Sequence, residues 1–367
     1  MPFRQSSYGQ YVPCDSFFVE SDEDALYAAR EQQRRRTRAI AEMQQRTMGQ
    51  ELSKLTAEEY QDDVLAHMVQ MESATMPDVS SIDIQTEIQW YMRPYLLDFL
   101  VEAHAAFQLL PETLFLTVNL LDRYCSKRVV YKRHYQLVGC AALLIAAKYG
   151  DRKEHVPTIK ELRSMCCSLY DEDMFIQMEW HVLQTLNWMV GHSTVDSFVQ
   201  IAMSSSTPDP EVEHMTLYIA EVALFHRDFV SVTPSVLARS SMAIARHILS
   251  RPQASPSDWA GMYDHSTVMN LSHCLYQPSQ VLVRKYSSNQ LSGVASTVED
   301  FLQQQLALSQ RNAAVAPVEV TVTHEEHRVA PQVGTQVPQT PQKTMYAGSV
   351  MANGCITPPI TPDGDQY

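Results

Sequence analysis

The sequence predicts an all-α protein: two successive helical domains of about one hundred residues each, a further helix upstream, and disordered segments at both ends. Three observations carry this reading. Apolar residues through the middle of the chain recur at spacings of three and four, the period of one helix face. The stretch Tyr135 to Tyr149 is apolar on every side, with Gly139, Ala141, Ala142, Ala146 and Ala147 interleaved among larger aliphatics. Such a helix belongs at the centre of a bundle, where small residues let neighbours approach closely. Both ends are poor in bulky apolar groups and cannot offset the entropy of ordering the chain.

Residues 1–55 are rich in Gln and Arg and contain the run Arg34-Arg35-Arg36-Thr37-Arg38. They read as a mostly disordered arm, whose basic run is either a nuclear import signal or a solvated charge cluster. Residues 56–190 hold the upstream helix and the first domain. Pro111 stands at a helix-starting position, and Leu114, Val118, Leu121 and Tyr124 form the stripe that follows. Asp171 to Asp173 open another helix, with Phe175, Met178, Val182 and Leu186 on one face. With short connectors at Pro111 and Pro157, five helices fit between Met92 and Trp188. Residues 191–290 carry a second set: Thr194 to Met203, Val212 to His226, Pro234 to Leu249, His265 to Tyr276 and Pro278 to Tyr286. Residues 291–367 read as a disordered tail.

Composition narrows the function classes. Hydrophobic residues make up 45% and charged residues 19%, ordinary for a soluble globular chain. The net charge of −14 speaks against nucleic-acid binding, which needs a basic face, and leaves a protein partner. The seven cysteines are odd in number and scattered, and the N-terminus has no apolar core of a signal peptide. Reduced thiols in the nucleus and cytoplasm follow. The longest apolar stretch, Val138 to Ala147, is about half of what a membrane span needs.

Four strings then stop being generic. Trp90 to Glu102 (WYMRPYLLDFLVE), Glu112 to Ser126 (ETLFLTVNLLDRYCS), Gln136 to Tyr149 (QLVGCAALLIAAKY) and Met178-Glu179 occur in one order over about 90 residues. Together they resemble the cyclin box of the cyclin family. A looser match with Tyr60, Asp63, Glu72, Pro77, Gln85 and Ile88 extends upstream, where cyclins carry an N-terminal helix. Cys166-Cys167 before Tyr170 is similar to the fungal G1 cyclins of the CLN type. The resemblance implies two tandem five-helix cyclin folds. It also implies a non-enzymatic regulatory subunit that binds and activates a cyclin-dependent protein kinase in G1 or at the G1/S transition. Alternatives are a mitotic or phosphate-signalling cyclin, or a cyclin-fold transcription scaffold.

By the same resemblance, Lys148 and Glu179 reach main-chain groups beside the mobile C-helix of the kinase, flanked by Tyr149 and Trp188 as apolar anchors. From the residues alone, the pair reads equally as a solvated surface contact worth about 0–1 kcal/mol. The loop after Tyr149, Gly150-Asp151-Arg152-Lys153, departs from the family's acidic pattern and bears on kinase choice. Arg93 and Asp122 match the pair that ties the first helix of the box to the second. Met92, Leu96, Phe99, Glu102 and Gln136 match the groove that docks kinase substrates bearing a basic-apolar motif. Leu96 and Phe99, three apart, read otherwise as core, and Pro94 and Phe99 depart from the usual groove sequence. Thr340, Thr357 and Thr361 each precede Pro in the tail. They resemble a phosphodegron, with an F-box ubiquitin ligase as its reader. The first 60 residues hold no R-x-x-L destruction signal.

Two patterns mislead. His226-Arg227-Asp228 spells a kinase tripeptide, but Thr233 stands where magnesium-holding Asn is required. His324 and His327 bracket two glutamates in a segment with no helix to present them to a metal. No catalytic constellation, metal site or cofactor is implied.

Overall fold

The computed structural model describes residues 23–204 and 208–315, and among them it contains helices and turns but no strand. The chain opens with α1 (Glu23–Glu59), α2 (Gln61–Ala74) and a short α3 (Val79–Asp83). A first group follows: α4 (Arg93–Ala106), α5 (Pro111–Lys127), α6 (Tyr135–Gly150), α7 (Ile159–Met165) and α8 (Glu172–Thr185). The second group is α9 (Val195–Ser204), α10 (Pro210–Leu224), α11 (Pro234–Ile248), α12 (His265–Cys274) and α13 (Gln280–Tyr286), after which α14 runs Val294–Val315.

Local chemistry sets the boundaries. Pro111, Pro210 and Pro234 occupy first turns, where a missing N–H costs nothing. Thr158 and Glu161 form a reciprocal capping box on α7. The side chains of Asp209, Asp264 and Ser279 accept from main-chain N–H groups of Val212, Thr267 and Val281 at the starts of α10, α12 and α13.

Each helical group has its own core. The first is centred on α6, where every residue from Leu137 to Ala147 is buried, as its all-round apolar sequence requires. Gly139 lets α4 approach, for a side chain there would stand 3.0 Å from Leu96 Cδ1. The second core gathers α9 to α13 around α10 and α11. Helix α5 serves both: Leu116, Val118, Leu120 and Leu121 join the first, Leu114 and Phe115 the second. Its sequence predicts one buried stripe, yet all residues from Thr113 to Cys125 are buried. The polar face is covered because its groups find main-chain partners. Asn119 donates to the Thr75 carbonyl at 3.0 Å and Arg123 to that of Met189 at 2.8 Å.

The upstream helix α2 reaches the second group. Leu65 and Met68 pack against that core, and the buried Glu72 carboxylate accepts from Ser235 N (2.9 Å) and Ser235 Oγ (2.7 Å) at the start of α11. A carboxylate there satisfies orphan donors and complements the helix dipole.

Both expectations of disorder need correcting where the structure describes the chain. Helix α1 lies inside the arm expected to be mostly unstructured. Its described side chains are exposed except half-buried Glu31, so the shortage of aliphatics correctly signalled little to bury. The helix forms because Ala, Glu, Gln, Arg, Met and Leu favour it locally. Arg35–Glu31 (3.2 Å) and Arg38–Glu42 (3.0 Å) add pairs across single turns. At the other end the second domain runs past residue 290: Val294, Ala295 and Val298 of α14 enter its core. Averaged over the long polar tail, that single apolar turn is invisible in composition.

Candidate functional site

Lys148 stands in the last turn of α6, and Glu179 in the second turn of α8, which packs against α6 through Phe175 and Val182. Their side chains meet at 2.6 Å, with the Lys148 side chain half exposed and that of Glu179 largely covered. A contact of this exposure contributes about 0–1 kcal/mol and exchanges readily. Lysine offers three donors and glutamate a carboxylate acceptor, so both can turn to main-chain groups of a partner.

Apolar side chains surround the pair without being buried. Tyr149 is 62% exposed, Trp188 57%, Trp180 56% and Ile176 51%. After α8, Asn187 and Trp188 both take left-handed backbone (φ 53° and 60°), a conformation disfavoured outside glycine. The reversal brings Trp188 edge-on to Trp180, ring centroids 5.3 Å apart. Tyr149 lies over Gly191, where a side chain would sit 2.9 Å from the tyrosine hydroxyl. Aromatic anchors around a polar pair are the composition of an interface centre. Ile176 and Trp180 were missed from sequence. Their signal was available: they are four apart and fall off the stripe Phe175, Met178, Val182 and Leu186 that α8 turns to the core.

Arg93 and Asp122 form a buried bidentate pair, Nη1–Oδ1 2.5 Å and Nη2–Oδ2 2.8 Å, joining α4 to α5. Burial works against the Arg93 charge, but the Asp122 carboxylate outweighs it and holds Arg93 above the usual guanidinium range. Arg93 Nε also donates to the Leu224 carbonyl at the end of α10 (2.7 Å), so one side chain links both helical groups.

The five groove candidates divide. Leu96 is buried in the first core, and Met92 and Phe99 are partly buried against it. Gln136 is half-buried in the first turn of α6. Glu102 is exposed and meets Arg284 of α13 through one oxygen at 3.4 Å, which leaves its other oxygen open to an incoming cation. Tyr95, one turn after Tyr91 on α4, is 70% exposed and offers a larger apolar surface there than Leu96 does.

The remaining candidates are quickly placed. Thr340, Thr357, Thr361, His324 and His327 lie outside the described residues. Arg227 of the misleading tripeptide donates to Asp83 (Nε–Oδ1 2.8 Å), which also accepts from Trp90 Nε1 (2.8 Å). It is a tie between α3 and the second group. Arg34 to Arg38 lie exposed on α1. Among the described residues no group of three His, Cys, Asp or Glu could hold a metal, and no helix is long and apolar enough to cross a membrane. No disulfide joins the described cysteines.

Comparison with known proteins agrees with this layout. The family description "Cyclin, N-terminal domain" matches residues 63–191, and "Cyclin, C-terminal domain" matches residues 193–310. The G1/S-specific cyclin CCN1 of Candida albicans is 45% identical over 219 residues, 54% of this chain and 32% of that protein. The G1/S-specific cyclin CLN3 of the same organism is 46% identical over 143 residues, 39% of this chain and 31% of that one. The chain thus spans about a third of the length of these curated relatives. A solved viral cyclin from herpesvirus saimiri aligns over 65% of this chain and 96% of its own, at 20% identity and a TM-score of 0.49.

Proposed function

The chain belongs to the cyclin family, and from that premise we propose that it is the regulatory subunit of a cyclin-dependent protein kinase, acting in G1 or at G1/S. The observation that carries the reading is the Lys148–Glu179 pair, half-exposed lysine on largely covered glutamate, at the junction of α6 and α8 within a ring of solvent-facing Tyr149, Ile176, Trp180 and Trp188. A folded protein seldom leaves so many large apolar groups together in water unless a partner covers them. In this reading the aromatic ring supplies the desolvated area and the charged pair supplies orientation. Lys148 and Glu179 release each other and bond main-chain groups of the kinase, fixing a segment that the kinase does not order alone. Catalysis belongs to that partner.

Two further assignments belong to the same reading. Met92, Leu96, Phe99, Glu102 and Gln136 form the docking groove for kinase substrates, with buried Leu96 behind it, exposed Tyr95 as its outer wall and Glu102 meeting a substrate cation. Phosphorylation of Thr340, Thr357 and Thr361 marks the chain for a ubiquitin ligase of the F-box type, and the protein works in nucleus and cytoplasm.

The test is retention of a cyclin-dependent kinase on the immobilised chain. Wild type should retain it. The double variant Lys148→Ala/Glu179→Ala should lose at least about tenfold in affinity, since truncating interface charges that become buried costs about 2–5 kcal/mol, while its thermal unfolding stays unchanged. Equal retention by both proteins would remove the pair from the interface.

A further inference from the structure

The loop between α5 and α6 reads Lys127-Arg128-Val129-Val130-Tyr131-Lys132-Arg133. Only Val130 is buried, and the other six side chains are exposed. Four of those six are cationic, in a chain whose net charge is −14. Elsewhere on the folded body cations are commonly neutralised: Arg93, Lys148, Arg227, Arg251 and Lys285 each meet a carboxylate within 4 Å. Among the described residues, none of the four loop cations does so.

The loop is also held in place. Gln85 donates to the carbonyls of Cys125 (2.7 Å) and Arg128 (2.6 Å) and accepts from Val130 N (3.0 Å). Tyr170 Oη donates to the Arg133 carbonyl at 2.8 Å, and Glu87 accepts from Lys132 N at 2.9 Å. Glu87 is thus the carboxylate bound to this loop, one negative charge against four positive. Side chains from two other parts of the domain are spent on anchoring this backbone. The cations it carries gain only weak contacts: Arg128 Nε donates to Thr185 Oγ1 at 3.3 Å, and the Arg133 guanidinium stands 6.0 Å from the centre of the Tyr131 ring.

Fixed backbone with unneutralised cations suits an anionic occupant, because the cost of ordering the site has been met before binding. Two of the four are arginines, whose planar forks match phosphate oxygens two at a time. A phosphate also brings about −1.5 to −2 charges at one point, against one for a carboxylate. The loop leads through Lys132–His134 into Tyr135 and Gln136, so it continues the proposed docking groove. We propose that this loop is a docking ledge for an extended, phosphorylated segment of the kinase's substrates. The choice of substrate rests on the kinase-subunit reading; the affinity for phosphate does not.

The test uses the full chain and a labelled peptide carrying two phosphothreonines four residues apart, read by fluorescence anisotropy. Its twins carry threonine or glutamate at both positions. The wild-type chain should bind the phosphopeptide at least about tenfold more tightly than either twin, and weaken as NaCl rises from about 50 to 300 mM. Lys132→Glu/Arg133→Glu should lose about tenfold in phosphopeptide affinity and most of the salt dependence. Arg34→Glu/Arg35→Glu on α1 should bind as wild type does. Kinase retention, measured separately, should be equal for wild type and both variants, so a failed ledge and a failed kinase reading give different results. Indifference to phosphorylation, equal binding of the glutamate twin, or loss of binding through the α1 variant alone would each overturn the proposal.

Discussion

At the scale of single residues, buried charges are where this molecule is most exposed to change. Removing one partner of Arg93–Asp122 strands the other in the core. Asp122→Ala should therefore lose about 3–5 kcal/mol in urea unfolding. Arg93→Met/Asp122→Leu should recover most of that, leaving the unpaired Leu224 carbonyl at about 1–3 kcal/mol. Asp196 is a different case. Burial pushes its carboxyl up to about 6; a hydrogen bond with Gln200 opposes this, and the carboxylates of Glu112, Glu213 and Glu221 add to it. Its Oδ1 has no hydrogen-bond partner among the described residues. Between the ordinary value of 3.8 and about 6, the folded chain keeps a proton that the unfolded chain has released. Stability therefore falls as pH rises through that window, and the penalty is complete above it. Asp196→Asn should gain on the order of 1–3 kcal/mol at pH 7.5 and almost nothing at pH 4, measured by urea unfolding at both. Sequence pattern found Arg93 and Asp122 through a family motif. It could not find Asp196, because one acidic residue at a helix start looks the same whether it faces water or a core.

At the scale of elements, legibility followed burial. Helix α6 was readable because it is apolar on every side, and α8 because its stripe is clean. Helix α5 was read correctly as a helix with one apolar stripe, but its polar residues are buried as well: Asn119 and Arg123 meet main-chain groups of neighbouring segments, and Thr117 bonds back to the Thr113 carbonyl of its own helix. The position of α2 was equally invisible, because Glu72 in an amphipathic helix announces nothing about Ser235, 163 residues away. Glu72→Ala should leave the start of α11 uncapped and cost about 1–3 kcal/mol, with faster amide exchange confined first to α2 and to the opening turn of α11. Helix α1 makes the opposite case. With its described side chains in water apart from half-buried Glu31, breaking α1 by Ala41→Pro should shift the melting temperature by no more than about 2 °C.

At the scale of the whole molecule, α5 makes the two cyclin domains one folding unit. Calorimetry should show a single unfolding transition, since exposing the second core also exposes Leu114, Phe115 and the buried polar groups of α5. Two separated transitions would mean that α5 is not shared in the way its burial indicates. The charge distribution belongs to this scale too. The chain is acidic overall, and the apolar ring around Lys148 and Glu179 and the cationic loop before α6 are local departures from that balance, each suited to a different partner. The function proposed above rests on what the surface does to a kinase. The most direct measurement is the histone-kinase rate of a purified cyclin-dependent kinase with and without this chain. A rise of at least about a hundredfold on adding wild type, abolished by Lys148→Ala/Glu179→Ala at the same concentration, is the expected result, equivalent to about 2.7 kcal/mol in the barrier. Tight binding of the kinase with no rise in rate would contradict the account, leaving the cyclin fold here as a scaffold.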